Sequence, residues 1–183
     1  RVAGESRGRE REALMCKTLL HVVFALVLFC TFSVALPRDL PDKTRTPGVA
    51  NPAVTQDTID QTICVSRWTD TVRPPSSYTS KLKIEQIKEY GYKDKKPGDY
   101  EEDHLISLQL GGHPTDPKNL WPEPYNQACG ARIKDVVESR LKRLVCDRKL
   151  SLADAQKAIA TNWVAAYKKY VNREGCPALE HEQ

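Results

Sequence analysis

The sequence predicts a small α+β domain cross-linked by disulfides. Three observations carry that reading. First, Tyr100–Leu110 and Asn119–Trp121 hold clustered apolar residues, separated by Gly111-Gly112 and a Pro/Asp loop, as short strands joined by a turn would be. Second, two later stretches repeat apolar residues every three and four positions, the period of packed helices. Third, Cys64, Cys129, Cys146 and Cys176 follow a segment that reads as an export signal, and an even number of cysteines in an exported chain implies disulfides.

That signal lies within residues 1–35. Leu19 to Leu36 is almost wholly apolar, Lys17 precedes it, and Ser33-Val34-Ala35 offers small residues where a signal peptidase reads. The run is near the length of a membrane span, but its small-residue exit favours cleavage after Ala35 over anchoring. Met15, the single methionine, marks the expected start, and the Arg/Glu-rich residues 1–14 read as upstream sequence. Phe29 is too bulky for Cys30 to be a lipoprotein site. The expected destination is secreted or periplasmic, without stable membrane association after cleavage. Five of the 28 basic and three of the 24 acidic residues precede Leu36, so the remainder keeps about +2 of the net charge of +4. That balance does not mark a nucleic-acid binder by itself, and any basic patch must be local.

Residues 36–61, rich in Pro, Thr and Asp without an apolar period, read as an extended leader. The folded domain is expected over 62–176, with 177–183 as a tail. Thr62–Trp68 is a short β-prone run, and Arg73-Pro-Pro-Ser-Ser77 reads as loop. Ser80 is suited to cap a helix to about Tyr90, which Gly91 would stop. Lys93 to Gly98 is a solvated turn. Tyr100–Leu110 is the first strand with its turn, and Gly111-Gly112 permits backbone angles other residues resist. Asn119–Trp121 is the second strand, stopped by Pro122 and Pro124. His113, in a Gly/Pro loop, reads as solvated.

A helix is predicted from Asn126 or Ala131 to Cys146, with Ile133, Val136, Val137, Leu141, Leu144 and Val145 as its buried stripe. Arg132 and Lys134 read as a solvated face that can also meet phosphate. Ser151-Leu-Ala-Asp154 resembles a capping box, opening a last helix to about Tyr170 that packs through Leu152, Ala155, Ile159, Trp163 and Tyr167. Trp121 and Trp163 are expected in the core. Among three possible cysteine pairings, Cys64 with Cys146 is preferred because both border apolar segments. No Cys-x-x-Cys suggests a zinc ribbon, and no phosphate-binding or dinucleotide fingerprint is present.

Apolar packing does not call for Asp103-His104, then Gly111-Gly112, then Asn119 before Trp121-Pro-Glu-Pro124. This order resembles the HNH endonucleases, most closely small exported bacterial proteins with a DHLIxLxLGG…NLWPEP core, over about residues 100–138. The resemblance implies a ββα-metal core with additional packing helices, one divalent metal ion, and phosphodiester hydrolysis in DNA or RNA. It implies that His104 takes a proton from water, that Asn119 holds the loop and orients His104, and that Asp103 binds the metal. The family's last ligand, a His or Asn on the helix, has no clear counterpart. Asn126 is the best match, with Asp135 and Glu138 as rivals. Arg132 and Lys134 are the candidate nucleic-acid contacts. The competing reading is a non-catalytic exported binding or envelope module on the same scaffold. Geometry separates the two: a catalytic site needs the Asp103, His104 and Asn126 side chains converging on one open cleft, and a His104 buried in an apolar core decides for the binding module.

Overall fold

The computed structural model describes residues 39–177. The expected signal segment and residues 178–183 of the expected tail lie outside the described residues. The α+β class holds. The elements run α1 (Trp68–Val72), α2 (Ser76–Glu89), β1 (Tyr100–His104), β2 (Leu120–Pro124), α3 (Ala131–Cys146) and α4 (Leu152–Tyr170). The two strands form one antiparallel ribbon, α2 packs on both of them, and α3 packs on α4. Trp121 and Trp163 are both fully buried, among Ile59, Ile63, Leu105, Leu141 and Ile159.

The first strand is shorter than expected. It ends at His104, because the chain then turns into a 3-10 segment, Leu108–Leu110, that buries both leucines. The second strand is longer, and the prolines do not stop it. Asp103 pairs Trp121, Glu102 pairs Pro122 and Tyr100 pairs Pro124. The ladder bonds at the two ends run from Leu105 N to Asn119 O (2.8 Å) and from Tyr125 N to Asp99 O (3.0 Å). Hydrogen-bonded pairs alternate along an antiparallel ribbon. Pro122 and Pro124 therefore occupy positions whose missing N–H would point away from the partner strand.

Residues 39–61 are not an extended leader. Ala50 bridges Gly112, Thr46 donates to Leu120 O at 3.1 Å, and Val54 and Ile59 are buried in the core. Spaced single apolar residues anchor this segment, which is why it shows no period. Thr62–Trp68 is a series of turns rather than a strand, and leads into α1. The next helix begins at Ser76, directly after Pro74-Pro75, instead of at Ser80.

Ala131–Cys146 matches the later of the two helix starts, but its buried stripe is shifted. Ala131, Lys134, Val137, Glu138, Leu141 and Val145 face inward, while Val136 is 45 % exposed. Ser151 caps α4 by accepting from Asp154 N at 3.1 Å. That helix breaks at Asn162 (φ −166°, ψ 95°), where Asn162 Oδ1 accepts from Ala165 N at 2.9 Å and recaps the second half.

Cys64–Cys146 forms as preferred, and Cys129–Cys176 is the second disulfide. The two loops interleave in sequence. Cys64–Cys146 closes a span of 82 residues, for which chain-entropy arguments give about 4 kcal/mol of stabilisation. A Cys64→Ser/Cys146→Ser variant should lose stability of that order in denaturant titration. A loss under about 1 kcal/mol would contradict the stapling role.

Candidate functional site

Successive side chains of a strand point to opposite faces, so β1 separates its neighbouring acid and imidazole. His104 and Glu102 face a polar cleft beside α2, of about 330 Å³. Arg73, Ser76, Thr79, Lys83 and Tyr125 also line it. Asp103 turns to the other side, where α3 packs.

His104 is only 5 % exposed and lies at the edge of this cleft. Its Nε2 lies 2.9 Å from Pro114 O. A carbonyl only accepts, so Nε2 carries the proton and Nδ1 is left as the basic nitrogen, a tautomer assigned from this hydrogen bond. Burial lowers the His104 pKa, outweighing the Pro114 hydrogen bond and the Asp103 charge that raise it, with smaller help from the charges of Lys134 and Arg73. The ring is therefore neutral at pH 7.

The loop that supplies Pro114 is held from inside by Asn119, which is fully buried. Its Oδ1 accepts from Ile106 N (3.0 Å) and Val49 N (3.2 Å), and its Nδ2 donates to Ile106 O and His113 O (both 3.0 Å). Gly112 fits here because a Cβ would collide with Ile106 O and crowd Asn119 Nδ2. Gly111 has φ +71°, in the left-handed region that favours glycine. His113 is not simply solvated. Its Nδ1 accepts from Asp116 N (3.0 Å) and Thr115 N (3.3 Å), capping the turn.

On the opposite face of β1 stands a buried ionic cluster. Lys134 Nζ donates to Asp103 Oδ2 and Glu138 Oε1, both at 2.5 Å, and to His104 O at 2.8 Å. Burial opposes charge on Lys134, but Asp103, Glu138 and Glu123 together outweigh it and raise its pKa. Burial likewise opposes ionisation of Asp103, but Lys134 reverses the balance and holds its pKa low. Burial pushes Glu138 up to about 8. Glu123, also fully buried, is pushed well above the carboxylate range, first by burial and then by Lys134-opposed repulsion from Asp103. Both carboxyl oxygens of Glu123 are buried without a hydrogen-bond partner. The Lys134 ammonium thus joins a carboxyl group of β1 to one of α3.

This arrangement corrects two expectations. Lys134 is not a nucleic-acid contact: it is 0 % exposed, because it lies on the same helical stripe as Val137, Glu138 and Leu141. The proposed ligands Asp103 and Asn126 do not converge. Asp103 is bound to Lys134, while Asn126 lines a separate cavity with Tyr92, Asp94 and Asp99. The residues present therefore do not fit an Asp103–Asn126 metal site. Among the described residues, no three of His, Cys, Asp and Glu gather into a metal-holding group. Arg132 is exposed, with its guanidinium 5.9 Å from the ring centre of Tyr125 at the cleft.

Sequence reasoning missed Lys134, Glu138 and Glu123 as a unit, and Lys83 as a cleft residue. A polar pair at i and i+4 on an apolar stripe was the available signal. No protein-family model matches the chain, and neither a curated protein nor a solved structure is significantly similar to it.

Glu102 gives the cleft a pH-sensitive element. Its buried carboxyl oxygens have no hydrogen-bond partner, and burial pushes its pKa up to about 8 despite the pull of Lys83. A carboxyl raised in the folded state stabilises the fold fully below its unfolded pKa. That stability is lost as pH rises from about 4.5 toward 8, by up to about 1.4 kcal/mol per pH unit. The lowered pKa of His104 works in the other direction, removing stability as pH falls below about 6.5. Glu102→Gln should therefore become more stable relative to the parent as pH rises from 5 to 8 in thermal melts. A difference that does not change with pH would contradict this.

Proposed function

We propose that this domain is an exported, HNH-like endonuclease that hydrolyses phosphodiester bonds in DNA or RNA. The observation that carries the reading is the placement of His104: its ring is fixed through Nε2 to Pro114 O on a cleft that also presents Arg73 and Lys83. In the proposed reaction, Nδ1 accepts a proton from the attacking water. The water oxygen bonds to phosphorus, and the bond to the leaving sugar oxygen breaks. Arg73 and Lys83 offset the charge that develops on the phosphate oxygens. Arg132 extends the cationic border past Tyr125 and is the proposed further contact to the nucleic-acid backbone. The two disulfides suit secretion or a periplasm, where thiols oxidise.

The test is incubation of the disulfide-bonded protein with supercoiled plasmid and with single-stranded RNA, in chelator and in Mg²⁺ or Mn²⁺. Strand cleavage of either substrate is the expected result. The separation of Asp103 and Asn126 favours a second reading, a binding module on the same scaffold. Retention of nucleic acid without cleavage under every condition would replace the first reading with the second.

A further inference from the structure

We propose that the ammonium of Lys134 is the structural cation of this core, occupying the place beside Asp103 expected for a divalent metal. The inference stands whether or not the cleft cuts nucleic acid, because it concerns the opposite face of β1. Three oxygens of different origin surround Nζ: a side chain of β1, a backbone carbonyl of β1 and a side chain of α3. An ammonium has three N–H donors, and here each has an acceptor. The group is wholly buried, so it exchanges no partner with water. Oxygen donors from separate elements around one point are also what a hard divalent ion requires. The lysine supplies the positive charge from within the chain, and its charge repels any ion that approaches Asp103.

The arrangement also makes Lys134 a positioning residue for the cleft. By holding His104 O and the adjacent Asp103 at once, it fixes the end of β1 from behind, while Pro114 fixes the ring from in front.

Two consequences are measurable without any cleavage assay. The unmodified protein should show the same Tm in EDTA as in millimolar Mg²⁺, Mn²⁺ or Ca²⁺, and no heat of binding attributable to Asp103. Lys134→Ala leaves Asp103, Glu138 and the His104 carbonyl around an open, acidic space. That variant should melt lower in EDTA and recover by about 5–10 °C when Ca²⁺ or Mn²⁺ reaches about 100 times its Kd. Adding Asp103→Asn to the variant should remove the recovery. A merely structural lysine would give the loss without the cation-dependent gain, so a Lys134→Ala protein that folds and ignores all three ions overturns the proposal. If Lys134→Ala does not fold in EDTA, refolding on addition of Ca²⁺ or Mn²⁺ supports it, and failure to refold with any ion counts against it. A Tm gain of the unmodified protein in a divalent ion, abolished by Asp103→Asn, overturns it directly.

Discussion

Replacing His104 with alanine is expected to lower the rate of phosphodiester cleavage by about 10²–10⁴, the usual contribution of a positioned general base. The substitution also removes the partner of Pro114 O from a buried position. A stability loss of about 1–3 kcal/mol should accompany it, so rates belong at a temperature where the variant stays folded. The pH profile of the parent gives an independent check. Only neutral imidazole accepts the proton, and burial holds the His104 pKa below its ordinary value. Activity should therefore rise with pH through a midpoint below about 6.5. His113→Ala is the control. It loses two backbone-to-ring bonds in the turn, which should cost about 1 kcal/mol and leave the proposed cleavage rate of the folded protein close to that of the parent. Cleavage that survives His104→Ala, or vanishes only in His113→Ala, would sink the assignment.

Asn119→Ala should produce the largest stability loss of any single polar substitution in the loop. Four backbone groups, Val49 N, Ile106 N, Ile106 O and His113 O, lose their partner together. An unsatisfied buried group costs about 1–3 kcal/mol, and water entering the vacated space offsets part of that. A net loss on the order of 4 kcal/mol is a large share of the roughly 5–15 kcal/mol that stabilises a small domain. Denaturant titration should show the drop in midpoint. Both side-chain polar atoms of Asn119 are used on backbone groups of the protein, so its effect on cleavage should arise through His104 and track the folded, correctly placed population. A variant as stable as the parent but devoid of activity would show that Asn119 acts on substrate instead.

What the sequence disclosed, and what it hid, follows from the range of the forces involved. Ser151 and its helix were legible because capping is decided within four residues. The Gly111-Gly112 turn was legible because a missing Cβ is a local property. The Cys64–Cys146 pairing came from both cysteines bordering apolar segments. By contrast, Val54 and Ile59 meet the core through contacts distant in sequence, and nothing nearby announces that residues 39–61 are part of the fold. Pro122 and Pro124 look like strand breakers until the register decides which way their nitrogens point. Lys134 was the hardest case. A lysine on a helix ordinarily faces water, and its burial is tolerable only because β1 brings Asp103 and the His104 carbonyl to it and Glu138 follows one turn along its own helix. For the same reason the site was half legible. His104 and its loop could be read from a motif, whereas the occupant of the space beside Asp103 depended on a three-element junction.

The interleaved disulfides decide how the molecule responds to proteolysis. Cys64 joins Cys146 and Cys129 joins Cys176, so each bridge straddles one end of the other. A protease that cuts once anywhere between Cys64 and Cys146 leaves two fragments still tied by the first bridge. A single cut between Cys146 and Cys176 leaves them tied by the second. One cut between Cys64 and Cys129 combined with another between Cys146 and Cys176 still yields three pieces held as one covalent body. A single cut on either side of β1 between Cys64 and Cys129 therefore leaves the strand bearing His104 covalently joined to the helices that support it.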